Sequence, residues 1–225
     1  PKTPKPLING NIYFDVCRSF IKMFSKLILS ASAVSAASVV GTNIGGWMVL
    51  EPWISPSLFY QFLNNSNEDG VGMDSYTLCE ALGPEAGNQA MRAHWENFYT
   101  EDDIKGLADR GVKMVRLPIG DWTLKPYGPY VGCMDGAEDW IQWMFDTCAK
   151  YDIEILLDVH AMKDSQNGFD NSGKTTSLIW DEGGKNFTHW PDNHADWMGP
   201  WIDGKMDHVN FENMQWALDV AEGLL

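Results

Sequence analysis

Four side chains able to pair charge, move protons or accept hydroxyls follow closely on apolar runs. Glu51 comes after Gly41-Thr-Asn-Ile-Gly-Gly-Trp-Met-Val-Leu50. Arg116 lies inside Val112-Lys-Met-Val-Arg-Leu-Pro118, while Asp158 and His160 close the run that begins Ile153-Glu-Ile-Leu-Leu. An arginine beside a carboxylate favours its charged form, whether it serves chemistry or a structural ion pair. Ionised Glu and Asp accept two hydrogen bonds at once, which suits vicinal hydroxyls. Glu51 and Asp158 stand at the ends of different runs, so they make a poor acid and base couple unless the fold draws them together. Metal chemistry is not indicated. Cys17, Cys79, Cys133 and Cys148 have no CxxC spacing, and His189, Asp192 and His194 fall in loop-like sequence.

These residues need elements to hold them. Gly41 to Leu50 reads as a buried strand feeding a loop, with a helical turn after Ser55-Pro56. Asp74 to Gly111 reads as helix, broken at Gly83-Pro84 and restarted at a Thr100 cap, with Gly111 as the stop. Val112 to Pro118 is a strand, Asp135 to Lys150 a helix, and Ile153 to Val159 a strand apolar enough to be buried on both faces. His160 to Lys205 is polar loop, and Asn210 to Leu225 is helix. Strand and helix alternate three times, which predicts an α/β fold built on a parallel sheet. In such folds chemistry sits at the carboxyl ends of the strands, where Glu51, Arg116, Asp158 and His160 fall.

Composition excludes some functions. With 16 Lys plus Arg against 31 Asp plus Glu, the net charge is 16 − 31 = −15 over 225 residues. No basic run exists to displace counterions, so neither nucleic acid nor an anionic membrane surface is an expected partner. Eleven Trp is a high count, and flat aromatic faces in a cleft are what sugar rings stack on, although most large aromatics pack cores. Residues 1–22 are Pro-rich and irregular. Residues 23–36 have the layout of a signal peptide, with Lys26, and Lys22 just before it, ahead of an apolar stretch and then small residues, too short in its apolar part to span a bilayer. A secreted chain permits disulfides; Cys79 with Cys133 is one pairing, whereas Cys133 and Cys148 are too far apart along one helix. Sequons at Asn64 and Asn186 fall in expected loops.

The strings GGWMVLEPW (45–53), VRLPIG (115–120), LLDVH (156–160) and SQNGFDNSG (165–173), in this order, resemble the exo-β-1,3-glucanases of glycoside hydrolase family 5. The resemblance covers residues 41 to about 220. It implies a (β/α)8 TIM barrel, of which these residues supply about the first three βα units, the amino-terminal portion of a catalytic domain over 41–225. It also implies retaining hydrolysis of β-1,3-glucan from the non-reducing end, releasing glucose, by a secreted or cell-wall enzyme that is a monomer when intact and needs no cofactor or metal. Hydrolysis of another β-glucan and non-catalytic glucan binding are the alternatives.

Residue by residue, the resemblance makes Glu51 an acceptor for hydroxyls of the terminal glucose and Arg116 the arginine that keeps a nucleophilic carboxylate ionised. His160 becomes part of the active-site floor. Trp53, Phe169, Asp170 and Asn171 become substrate-binding residues. Two departures stand out. Ala161-Met-Lys-Asp164 replaces a Gly-Ala-Pro-like turn, and the Asn-Glu-Pro motif that carries the acid/base glutamate occurs nowhere in the sequence. Retention needs two carboxyl groups about 5 to 5.5 Å apart. Both glutamates are therefore expected beyond Leu225, and these residues alone are expected to be an inactive fragment. Three strands cannot close a barrel, so an apolar edge is expected to face solvent.

Overall fold

A computed structural model describes residues 39–62, 70–175, 179–180, 187–188, 197, 201–202, 205–206 and 209–224. The upstream segment, the expected signal peptide, Cys17, the sequon at Asn64 and the histidines 189 and 194 with Asp192 lie outside the described residues. Three strands form one parallel sheet in the order β1 (Gly41–Asn43), β2 (Met114–Gly120), β3 (Glu154–Ala161). Helices α1 (Ser75–Phe98) and α2 (Glu101–Asp109) connect β1 to β2, α3 (Ala137–Lys150) connects β2 to β3, and α4 (Phe211–Gly223) follows. The α/β alternation expected from the sequence is the alternation found, and it amounts to part of a (β/α)8 barrel.

Local chemistry explains most boundaries. Asp74 caps α1 by accepting from the Thr77 N–H at 2.7 Å, and Thr100 and Asp103 form a reciprocal capping box at the start of α2. Gly83, at φ 73° and ψ −179°, leaves the helical region and with Pro84 breaks α1 into two pieces at a kink, as expected from the sequence. Gly111, at φ 83°, turns the chain out of α2 toward β2. Ser55 stands before a short 3-10 turn, Pro56–Leu58, but its hydroxyl donates to the Glu51 carbonyl instead of capping the turn.

Three expectations need correction. The strand foreseen over residues 41–50 stops at Asn43, because Gly46 adopts φ 68° and a Cβ there would stand 2.6 Å from Ile54. Ile44 to Leu50 instead folds back into the core, where the Trp47 indole donates to the Trp95 carbonyl at 3.1 Å. The polar stretch 160–205 also contains two small antiparallel pairs, Ile179–Trp180 with Phe187–Thr188 and Trp201–Ile202 with Lys205–Met206. Strands of two residues fall below any readable period, and the second sequon ends in one of them. Finally, β3 is not buried on both faces. Ile155, Leu157 and Val159 pack on the helical core, but Leu156 on the other face is 52% exposed. Among the described residues no layer covers that second face, and beside Leu156 it carries the polar Asp158 and His160 rather than a broad apolar edge.

Among the described residues, Trp47, Trp95 and Trp122 are fully buried and serve the core, and Trp122 stacks on Tyr130 with centroids 4.0 Å apart. Cys79 on α1 is bonded to Cys133 in the helical turn Tyr130–Cys133, while Cys148 is free and buried on α3. The disulfide closes a loop across 54 positions, which the chain-entropy relation rates at about 4 kcal/mol. The double substitution Cys79→Ser/Cys133→Ser is expected to lower unfolding free energy by that order, measured by denaturant titration.

Candidate functional site

Successive side chains of a strand point to opposite faces. On β2, Val115, Leu117 and Ile119 face the helices, which sends Arg116 to the other side. Register does the rest: Asn43 pairs with Arg116 across β1 and β2, and Pro118 pairs with Asp158 across β2 and β3. Arg116 thus reaches three neighbours. Its Nη1 donates to Asn43 Oδ1 at 2.8 Å, its Nη2 donates to His160 Nδ1 at 2.8 Å, and Nη2 lies 2.5 Å from Asp158 Oδ2. Asp158 Oδ2 is also 2.9 Å from His160 Nδ1.

Glu51 joins this group from the loop after β1. It is half-buried, and its Oε1 accepts the Gly46 N–H at 3.3 Å. Burial raises its carboxyl above the ordinary range, opposed by that N–H and by the electrostatic influence of His160 and Arg116. The supporting turn is itself held from beneath. His94 is 7% exposed, and its Nε2 lies 2.9 Å from the Gly46 carbonyl. Burial pulls this imidazole down to about 4, so at neutral pH it is an uncharged ring whose Nε2–H donates to that carbonyl. Trp53, two residues beyond Glu51, is 54% exposed.

Phe169, Asp170 and Asn171 form a second group in the loop after β3. Gln166 ties this loop to the first group, donating to the His160 carbonyl at 2.7 Å and accepting the Met162 N–H at 3.1 Å. Phe169 is partly exposed and its N–H donates to Asn167 Oδ1 at 2.9 Å. Asp170 is 1% exposed, with its Oδ1 accepting the Asn171 N–H, so its carboxyl faces the protein interior. Where the departing Ala161–Asp164 sequence stands, Asp164 and Ser165 both take φ 60°, a left-handed conformation that costs a non-glycine residue energy. The loop nonetheless lands firmly: the Gly173 carbonyl accepts from the Tyr76 N–H and the Tyr130 hydroxyl.

Sequence reasoning missed Asp121, the first residue after β2. It is fully buried, and its Oδ2 accepts from the Lys163 N–H at 2.7 Å and the Trp216 indole at 2.8 Å. It therefore binds the post-β3 loop and α4 to the end of β2. Lys125 and Lys163 lie over the same indole, 4.1 and 5.0 Å from its centroid. Burial pushes the Asp121 carboxyl up to about 6 despite these donors. The available signal was its position directly beyond a strand end. Among the described residues no cluster of His, Cys, Asp or Glu could hold a metal ion.

No family model matches the chain. It is 46% identical over 147 residues to a glucan 1,3-beta-glucosidase of Lachancea kluyveri, covering 62% of this chain and 32% of that protein. It is 43% identical over 141 residues to a sporulation-specific glucan 1,3-beta-glucosidase of Saccharomyces cerevisiae (59% and 30%). It is 40% identical over 150 residues to glucan 1,3-beta-glucosidase 1 of Schizosaccharomyces pombe (66% and 35%). The chain spans about a third of the length of these curated relatives. Among solved structures, a rutinosidase from Aspergillus niger shares the fold at TM-score 0.53 and 18% identity, over 84% of this chain and 44% of that one. The structure titled AoRut does so at 0.59 and 20%, over 84% and 43%.

His94 and Asp121 make opposite contributions to pH-dependent stability. Between about pH 4 and 6.5 the unfolded His94 binds a proton that the folded one refuses, so stability rises with pH. Between about 3.8 and 6 the folded Asp121 keeps a proton that the unfolded one releases, so stability falls with pH. Each is worth up to about 3 kcal/mol, and burial raises the Glu51 and Asp74 carboxyls in the same direction as Asp121. In thermal melts from about pH 4 to 6.5, Asp121→Asn is expected to tilt the Tm profile upward with pH relative to the parent, and His94→Gln to tilt it downward.

Proposed function

We propose that this chain, a sequence relative of glucan 1,3-β-glucosidases, supplies the sugar-binding floor of a secreted enzyme that removes glucose from the non-reducing end of β-1,3-glucan with retention. The observation that carries this is the convergence of Glu51 from the loop after β1, Arg116 from within β2 and His160 from near the carboxyl end of β3 on one face of the sheet. A carboxylate acceptor, an imidazole and a guanidinium on one polar face can read the hydroxyls of a pyranose ring, and exposed Trp53 offers a stacking surface beside them. Partly exposed Phe169 and its neighbour Asn171 extend the floor toward the loop after β3. The Cys79–Cys133 bond supports passage through an oxidising compartment.

In this reading binding and chemistry are divided. Glu51 accepts hydroxyls of the terminal sugar, and Arg116 lends positive charge to whichever carboxylate attacks the anomeric carbon. That attacking carboxylate and its acid/base partner come from elsewhere in the enzyme, since no Asn-Glu-Pro segment occurs in these 225 residues. The same absence favours a second reading, a non-catalytic secreted protein that binds glucan.

The test is glucose release from laminarin by the 225-residue chain and by a version extended with the missing strands, with the anomer of the first product followed by NMR. Release of β-glucose by the extended form alone is expected. Release by the short form would remove the division between binding and chemistry, and binding with no release by either form would favour the second reading. Glu51→Gln is expected to weaken laminarin-oligosaccharide binding about tenfold, the scale of hydrogen bonds to a charged acceptor, measured by calorimetry.

A further inference from the structure

Asp158 is the carboxylate closest to both Arg116 and His160, and its geometry separates two ways of wiring the three groups. If His160 carried its proton on Nδ1, that N–H would donate to Asp158 and confront the guanidinium N–H of Arg116. If the proton sat on Nε2, the Nδ1 lone pair would accept from Arg116, and Asp158 would serve as a counter-ion alone. Arg116 Nη2 meets Nδ1 at 2.8 Å with the alignment of a hydrogen bond. Asp158 Oδ2 is buried and takes no aligned hydrogen bond, although Arg116 Nη2 and His160 Nδ1 lie 2.5 and 2.9 Å away. The first wiring sets two N–H donors against each other at 2.8 Å, whereas the second brings two acceptors, Nδ1 and Oδ2, to 2.9 Å with the positive guanidinium nitrogen close to both, which offsets their repulsion.

We infer that Asp158 is a positioning residue: as the counter-ion of Arg116 it holds the guanidinium on His160 Nδ1, which fixes His160 as the neutral Nε2–H tautomer. Within the proposed glucan site, on which the use of this arrangement rests, His160 is then a donor and Glu51 an acceptor. The pair distinguishes a hydroxyl that must accept from one that must donate. Asn43 completes the clamp by accepting the other guanidinium nitrogen at 2.8 Å.

The experiment is a long-range proton–nitrogen spectrum of the full chain labelled with nitrogen-15, at mildly alkaline pH, above the ordinary imidazole range. One of the five histidines is assigned as His160 by its loss in His160→Gln. The expected spectrum has an unprotonated Nδ1 and a protonated Nε2 in the parent, and exchange-averaged nitrogens in Asp158→Asn. A protonated Nδ1 in the parent, or an unchanged tautomer in Asp158→Asn, would overturn the inference. Should circular dichroism show that Asp158→Asn does not fold, Arg116→Lys makes the same test. It leaves a cation for Asp158 but removes the forked N–H that serves His160, so retention of the tautomer would refute the wiring. The spectrum is recorded without sugar, and laminaribiose is titrated separately. Loss of binding by the parent sinks the glucan reading while leaving the tautomer result standing, and Asp158→Asn is expected to weaken binding about tenfold if both hold.

Discussion

The face that Arg116 occupies on β2 decides the rest of the site. Because strand side chains alternate, committing Val115, Leu117 and Ile119 to the helical core forces the guanidinium onto the opposite face. A charge there needs partners, and parallel register supplies them: Asn43 from one neighbouring strand, Asp158 and His160 from the other. Slipping either strand by one residue would send those partners into the core and leave the arginine uncompensated. The hydrophobic pattern and the polar site are therefore one constraint seen from its two sides.

Around this centre, supports of different kinds are stacked. The Glu51 turn depends on a positive φ at Gly46 and on a neutral, buried His94 beneath it. The loop after β3 depends on a glutamine returning to the His160 carbonyl and on a buried carboxyl, Asp121, that collects the Lys163 N–H and the Trp216 indole. Each support places an ionisable side chain where burial works against its charge, and hydrogen bonds limit the cost.

The proposed division between binding floor and reacting carboxylates fits the same architecture. In an α/β barrel each strand contributes only a few side chains to the carboxyl-end face. The three strands and the loops after them hold a polar cluster whose carboxyl groups are already engaged: Glu51 with the Gly46 N–H, Asp158 with Arg116, and Asp121 with loop and helix donors.

Much was legible in the sequence. Alternation of strand and helix, the break at Gly83-Pro84, the Thr100 cap, the stop at Gly111 and the placement of His160 near the end of a strand all come from local pattern. Local pattern acts within a few residues, so it carries through whatever the rest of the chain does. What only the tertiary structure decided involves partners far apart in the chain or below the length of a readable period. The early end of β1 goes with the left-handed turn at Gly46, whose close approach to Ile54 leaves no room for a side chain. The exposure of Leu156 comes from a face left uncovered among the described residues, the role of Asp121 from a tryptophan 95 positions away, and the pairing of Cys79 with Cys133 from the packing of a helix on a distant turn. The contacts of Asp158 belong with them. Its place near a strand end was written in the sequence, but whether it would act as a base, a ligand or a counter-ion depended on which side chains register brought to 2.5 Å, and no one-dimensional pattern contains that distance.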